Sequence, residues 1–190
     1  MIKTRQDLKE YLRADGRNYW HLHQGWLKRW YSHLFTDPMT DQTKIWDYIY
    51  SLRHLEYHIN NNGWWHIPAK IFYSWRLRSL SYKTGFQIPP NTCGKGLTIW
   101  HWGTIIINGR ARLGENCTLR PMVLIGHRKP EEDVPQIGNN VTISSGVSIV
   151  GPITIGDNVI IAPNAAVTKD VPANTMIGGV PATVIKTNII

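Results

Sequence analysis

His101 stands between two tryptophans in the run LTIWHWGTIIING, residues 97–109. Histidine is the side chain best matched to proton transfer near neutral pH, and Trp100 and Trp102 would give a cleft around it apolar walls that partly exclude water. The same residues also describe a structural histidine. Two placements are open: a repeat that begins just after His101, or an imidazole that points into a cleft. The other residues able to do chemistry read as structural. His54 and His58 lie four apart, but their run HLEYH is not the HExxH of zinc proteases and no third ligand accompanies it. They, like His21 and His23, are expected to be packed or solvated rings. Cys93 and Cys117 are too few for a disulfide framework or a cysteine zinc site and are expected to be buried free thiols. No metal is expected.

The elements that must position His101 are written as an internal repeat. Every sixth residue from Ile107 gives Ile107, Leu113, Leu119 and Ile125, then Ile137, Ile143, Ile149, Ile155, Ile161 and Val167. A second column reads Ala111, Cys117 and Val123, then Val141, Val147, Ile153, Val159, Ala165, Val171 and Ile177. Strands alternate with period two and helices repeat near 3.6, so neither sustains a period of six. A triangular solenoid does: three short strands per turn, aliphatic columns facing a narrow interior, and small or left-handed residues at the corners. Asn139, Asn140, Asp157, Asn158 and Asn164 suit such corners. Six residues per side makes about 18 per coil, so residues 95–180 hold roughly four to five coils. His101 falls in phase with the first column yet is polar. HRKPEEDVP, residues 127–135, has nothing fit for the interior and is predicted to leave the coil as a loop, a usual place for binding residues.

Residues 1–84 read differently. TKIWDYIYSLRHLEYHI, residues 43–59, carries Ile45, Ile49, Leu52, Leu55 or Glu56, and Ile59 at helical spacing and stops at NNNG. A second helix is predicted from Pro68 to the glycine at 85, and a shorter one over residues 4–14. The predicted organisation is a helical region over 1–84 and a mainly β solenoid over 85–186. The helical region mixes aromatic and basic side chains: Trp64, Trp65, Lys70, Tyr73, Trp75, Arg76 and Arg78. Either a helix–helix interface with a solvated basic face or a peripheral membrane contact fits that mixture.

Composition narrows the function classes. Of the 190 residues, 42% are apolar and 18% charged, and no run of eighteen apolar residues is present to span a bilayer. The opening MIKTRQDLKEYLRADG lacks an apolar core, so a cytoplasmic chain is expected. The net charge of +8 is concentrated ahead of residue 84, where thirteen Lys/Arg face seven Asp/Glu, against eight and six beyond it. No zinc-finger spacing or RNA-binding signature accompanies the charge, so no nucleic-acid partner is expected.

The stretch from Gly85 to Lys186 resembles the hexapeptide-repeat acyltransferases, in particular their serine acetyltransferase-like branch. LTIWHWGTIIING resembles the segment around that branch's catalytic histidine, and IGNNVTISSGVSIVGPITIGDNVIIAPNAAVTKDVPANTMIGGVPATVIK resembles its C-terminal coils and closing GVPA motif. The resemblance implies a left-handed parallel β-helix, acetyl-CoA as co-substrate, and a homotrimer with sites between subunits. It implies that His101 takes the proton from an acceptor hydroxyl as that oxygen attacks the thioester directly. Ser145, Pro163 and Pro181, at intervals of eighteen, match residues lining the pantetheine groove, and Lys169 and Lys186 would offset the cofactor's phosphates.

Two departures bear on the acceptor. Gln87 stands near the place of the acidic residue that serine acetyltransferases pair with the catalytic histidine, and no Asp or Glu lies between Glu56 and Glu115. Val134 stands where they carry a second histidine, although His127 in the same loop could replace it. An amino acid's charged groups need charged partners. The expectation is therefore a saccharide hydroxyl as acceptor, held by Gln87, Trp100, Trp102, Asn108 and His127, in a chain resembling the O-acetyltransferases of capsule and exopolysaccharide pathways. The alternatives are a serine O-acetyltransferase that uses His127, and a non-catalytic solenoid scaffold.

Overall fold

The computed structural model describes residues 1–19, 42–129 and 133–189; His21, His23 and the middle of the 127–135 loop fall outside them. The chain divides into two compact units, Met1–Thr84 and Gly85–Ile190.

In the first unit, helix α1 (Arg5–Asp15) begins at a capping box. Thr4 Oγ1 accepts from the Asp7 N–H at 3.0 Å, and the Asp7 carboxylate accepts from the Thr4 N–H at 2.9 Å. Helix α2 (Gln42–Ile59) buries Ile45, Ile49, Leu52 and Leu55 at the expected spacing, but leaves Ile59 exposed. Both residues offered for the fourth position, Leu55 and Glu56, are buried. Glu56 tolerates this because Arg53, also fully buried, donates to it at 3.0 Å and to Asp15 of α1 at 2.7 Å. The guanidinium carbon lies 5.0 Å from the Tyr11 ring centroid. Helix α3 (Ile67–Thr84) has Pro68 in its first turn, and Gly85 with φ +80° follows its last residue.

The histidines of this unit pack against rings. His54 lies between Tyr50, at 4.3 Å, and Tyr73, stacked at 4.8 Å, and His58 Nδ1 is 2.8 Å from His66 Nδ1. Burial, with His58 and Arg76 nearby, pushes His54 down to about 4, and burial lowers His58 as well. The unfolded chain therefore takes up protons on these rings at a higher pH than the folded unit does. Thermal melts are expected to show the helical unit losing stability as pH falls from about 6.5 toward 4. His54→Gln is expected to flatten that dependence, and an unchanged slope would contradict it.

The second unit is a three-sided coil of parallel strands. One side stacks β1 (Phe86–Gln87), β3 (Ile105–Ile107), β6 (Val123–Gly126), β9 (Ser148–Val150) and β12 (Ala166–Val167). The second stacks β4 (Arg112–Leu113), β7 (Gln136–Ile137) and β10 (Thr154–Ile155). The third stacks β2 (Thr98–Ile99), β5 (Thr118–Leu119), β8 (Thr142–Ile143), β11 (Ile160–Ile161) and β13 (Thr175–Gly178), and β14 (Thr183–Thr187) closes it antiparallel. Every residue of both aliphatic columns is buried. Asn116, Asn140, Asn158 and Asn174 all have positive φ and form a ladder up one corner, each Nδ2 donating to the next Oδ1 at 2.8–3.3 Å.

The strand register shows where the repeat is broken. Ile105 pairs with Val123, Thr142 with Ile160 and Ser148 with Ala166, each 18 positions on. Across the 127–135 segment the step is 24, as in Leu124 with Ser148, so six more residues lie there than between other coils. Thr98 pairs with Thr118, 20 positions on, whereas Ile105 keeps the step of 18. Two extra residues therefore lie in Trp100–Thr104, opposite Arg120–Met122. This corrects the phase assigned to His101: Ile99, not His101, is the interior residue stacked on Leu119. Near the end the step falls to 16, so Val171 stacks on Ile155 and Ile177 on Ile161, which moves both into the first column.

Candidate active site

The two-residue insertion pushes the chain out at the corner between β2 and β3. His101 has φ +89° and Gly103 φ +136°, and Trp100, His101 and Trp102 are all exposed. A non-glycine residue held at positive φ is strained, and such residues gather at functional sites. Of the two placements left open by the sequence, the structure excludes a repeat starting after His101, since Cys93, Leu97 and Ile99 are already interior.

The same corner continues through successive coils. A Cβ on Gly103 would come within 3.0 Å of Pro121, the Gly146 N–H donates to the Pro121 carbonyl at 3.1 Å, and the Asn164 N–H donates to the Ser145 carbonyl at 2.9 Å. His101, Ser145 and Pro163 thus line one edge of the prism, with exposed Met122 between them. Gly146 has φ +76°, and a Cβ there would collide with the Asn164 Oδ1, so the edge is narrow at this point. Strand β1 runs alongside: Gly85 accepts from the Ile105 N–H at 3.2 Å, and exposed Gln87 pairs with Ile106 on the outer face.

The other expected site residues are not brought to this edge. Asn108 follows β3, at the far end of the strand from His101, and its Oδ1 accepts from the Arg110 N–H at 2.9 Å, closing its own turn. His127 follows β6 one coil on, at the same end. Both of its ring nitrogens are buried, and neither has a hydrogen-bond partner among the described residues. Val134 is buried and apolar. Lys169 is exposed in the shortened corner before Val171, and Lys186 is exposed on β14. Because of that shortening, the register sets Gly179 rather than Pro181 opposite Pro163, which corrects the eighteen-residue count to Pro181. Cys93 and Cys117 are free and buried as expected, and burial pushes the Cys117 thiol up to about 11, so it serves as no nucleophile near neutral pH. Among the described residues, no three His, Cys, Asp or Glu could hold a metal. Sequence reasoning missed Gly103, whose positive φ lets the insertion turn; the glycine directly after WHW was its only signal.

Residues 135–169 match the family described as bacterial transferase hexapeptide (six repeats). A serine acetyltransferase of Staphylococcus xylosus is 35% identical over 106 residues, 54% of this chain and 49% of that protein. One of Staphylococcus aureus is 31% identical over 134 residues, 65% of this chain and 63% of that protein. The chain therefore spans between about half and two thirds of these relatives. Among solved structures, a serine acetyltransferase of Brucella abortus superposes with a TM-score of 0.69 at 22% identity, covering 96% of this chain and 70% of its own. A serine acetyltransferase in complex with CoA does so with a TM-score of 0.67 at 19% identity, covering 95% and 71%. The expected likeness to capsule and exopolysaccharide O-acetyltransferases is corrected by these findings: the relatives are serine acetyltransferases, and the saccharide acceptor falls with that likeness. Residues 135–169 thus carry the hexapeptide repeat of that family, the second unit has the left-handed parallel β-helix fold, and the chain is similar to serine acetyltransferases.

Proposed function

We propose that this chain is an acetyl-CoA-dependent serine O-acetyltransferase with His101 as general base. The observation that carries the reading is the single edge of the prism that holds strained, exposed His101 together with Ser145 and Pro163 of successive coils. A thin pantetheine arm lies along such an edge, where Ser145 and Gly146 present little side-chain bulk. His101 takes the proton of the serine hydroxyl as the oxygen bonds to the thioester carbonyl carbon. The tetrahedral adduct then collapses by breaking the C–S bond, and the departing thiolate recovers the proton from the imidazolium. No acyl-enzyme is required, in keeping with the buried, protonated Cys117.

The chain functions as a homotrimer in this reading, with each site between copies. Exposed Trp100, Trp102 and Met122 along the His101 edge form an apolar strip that a neighbour covers. His127 lies at the other end of the same side of the prism, so a neighbouring copy supplies it as the acceptor-side histidine. Its two ring nitrogens, buried and without a hydrogen-bond partner among the described residues, support that role, since such groups are costly without a partner. Lys169 and Lys186 are the cations proposed for the cofactor's phosphates, at the cytoplasmic location expected of a small-metabolite enzyme.

The test follows free-thiol release from acetyl-CoA at varied L-serine. His127→Ala is expected to lower kcat/KM for serine by about 10- to 100-fold, the size of a lost hydrogen bond to a charged group. Unchanged serine kinetics in that variant would remove His127 from the site.

A further inference from the structure

Helix α3 turns only a small part of its surface inward. Leu77, Leu80 and Thr84 are buried, and Arg76 bonds back to Asp47 of α2 at 3.1 Å. Ile67, Ile71, Trp75, Arg78 and Tyr82 follow one another at steps of three and four, so they share one face, and all five are exposed. The turn leading into the helix adds Trp64, 76% exposed, and Trp65. An exposed helix face is ordinarily polar, and one this rich in indole and aliphatic groups is built to be covered.

Charge distinguishes what covers it. No Asp or Glu lies between Glu56 and Glu115, while Lys70, Arg78 and Lys83 lie on α3. A shallow groove of about 450 Å³ opens in the middle of the face, lined by Lys70, Ile71, Ser74, Trp75 and Arg78. It offers an ammonium, a guanidinium and a hydroxyl beside an indole and an aliphatic chain, which matches a phosphate head group resting on the first carbons of its acyl chains. A second copy docked here about a two-fold axis would set this cationic face against its own kind, with no carboxylate on the helix to offset it. Among the described residues no helix is long and apolar enough to cross a membrane, so the contact is with a membrane surface.

We propose that the exposed face of α3, together with Trp64 and Trp65, docks on an anionic phospholipid surface, with a head-group phosphate between Lys70 and Arg78. Tryptophans at the upstream end settle at the boundary between head groups and acyl chains, as amphipathic aromatic rings do. The inference is independent of which acceptor the β-helix acetylates.

The experiment uses the full chain with vesicles of phosphatidylcholine alone or containing about one third phosphatidylglycerol. The expected result is sedimentation with the anionic vesicles, a blue-shifted tryptophan emission, and release by high salt. Lys70→Ala with Arg78→Ala is expected to lower the partition coefficient about thirtyfold, and Lys70→Arg with Arg78→Lys to retain most of it. Both residues lie at the surface, so an unchanged melting temperature verifies that the variants fold. Equal binding to neutral and anionic vesicles, or none to either, would overturn the proposal. So would an oligomer that Ile71→Glu dissociates in the absence of any vesicle binding, which would give this face to a second copy.

Discussion

Replacing His101 with alanine is expected to lower kcat for acetyl transfer to serine by a factor of about 100 or more, while acetyl-CoA binding stays within about twofold. The separation follows from position. His101 lies in the two-residue insertion outside the aliphatic columns, so its loss opens no cavity and leaves the ladder of Pro121, Gly146 and Asn164 intact. Its φ of +89° complicates the alanine variant, since left-handed backbone costs alanine roughly 1–2 kcal/mol. His101→Asn removes that objection, because asparagine tolerates positive φ and carries no base. Both variants should lose the same activity. An asparagine variant with intact kcat would show that His101 only shapes the corner.

Replacing Arg53 with methionine is expected to destabilise the helical unit by about 3–5 kcal/mol in denaturant unfolding. Arg53 is a buried cation shared by two buried carboxylates, Asp15 at 2.7 Å and Glu56 at 3.0 Å. Without it both buried carboxylates lose a charge-assisted hydrogen bond. Changing Asp15, Arg53 and Glu56 together to apolar residues of similar volume should recover most of the loss, as for other buried ion networks. A single variant that melts with the wild type would mean the triad adds no net stability.

The solenoid was legible because its signal is redundant. Ten aliphatic positions in one phase outvote any local ambiguity, and all of them are interior, as are those of the second column. Phase errors arose only where the step between coils changes. Trp100–Thr104 carries two extra residues and the corner before Val171 lacks two, and a count by sixes passes through both without notice. That is why His101 read as in phase with the first column, Pro181 as the successor of Pro163, and Val171 as a member of the second column. The six-residue excursion, by contrast, announced itself through charge and proline.

The helices of the first unit were legible from apolar spacing and glycine stops, but the buried ion triad was not. Asp15, Arg53 and Glu56 are separated by up to 41 positions, and charged residues are read as solvated unless a partner is known. The acceptor was misread for a related reason. The missing Asp and His were taken as missing chemistry, whereas the relatives are serine acetyltransferases and His127 has two buried ring nitrogens without a hydrogen-bond partner among the described residues. Burial of a loop histidine is a tertiary fact that the polar run HRKPEEDVP does not express.

The central claim is tested most directly by incubating the wild-type chain with acetyl-CoA and L-serine and identifying the product by mass spectrometry. The account predicts O-acetyl-L-serine and free CoA in equal amounts, both absent with His101→Asn. Retention of acetyl-CoA with no acetylated serine, or an acetyl group delivered to a different acceptor, would contradict it.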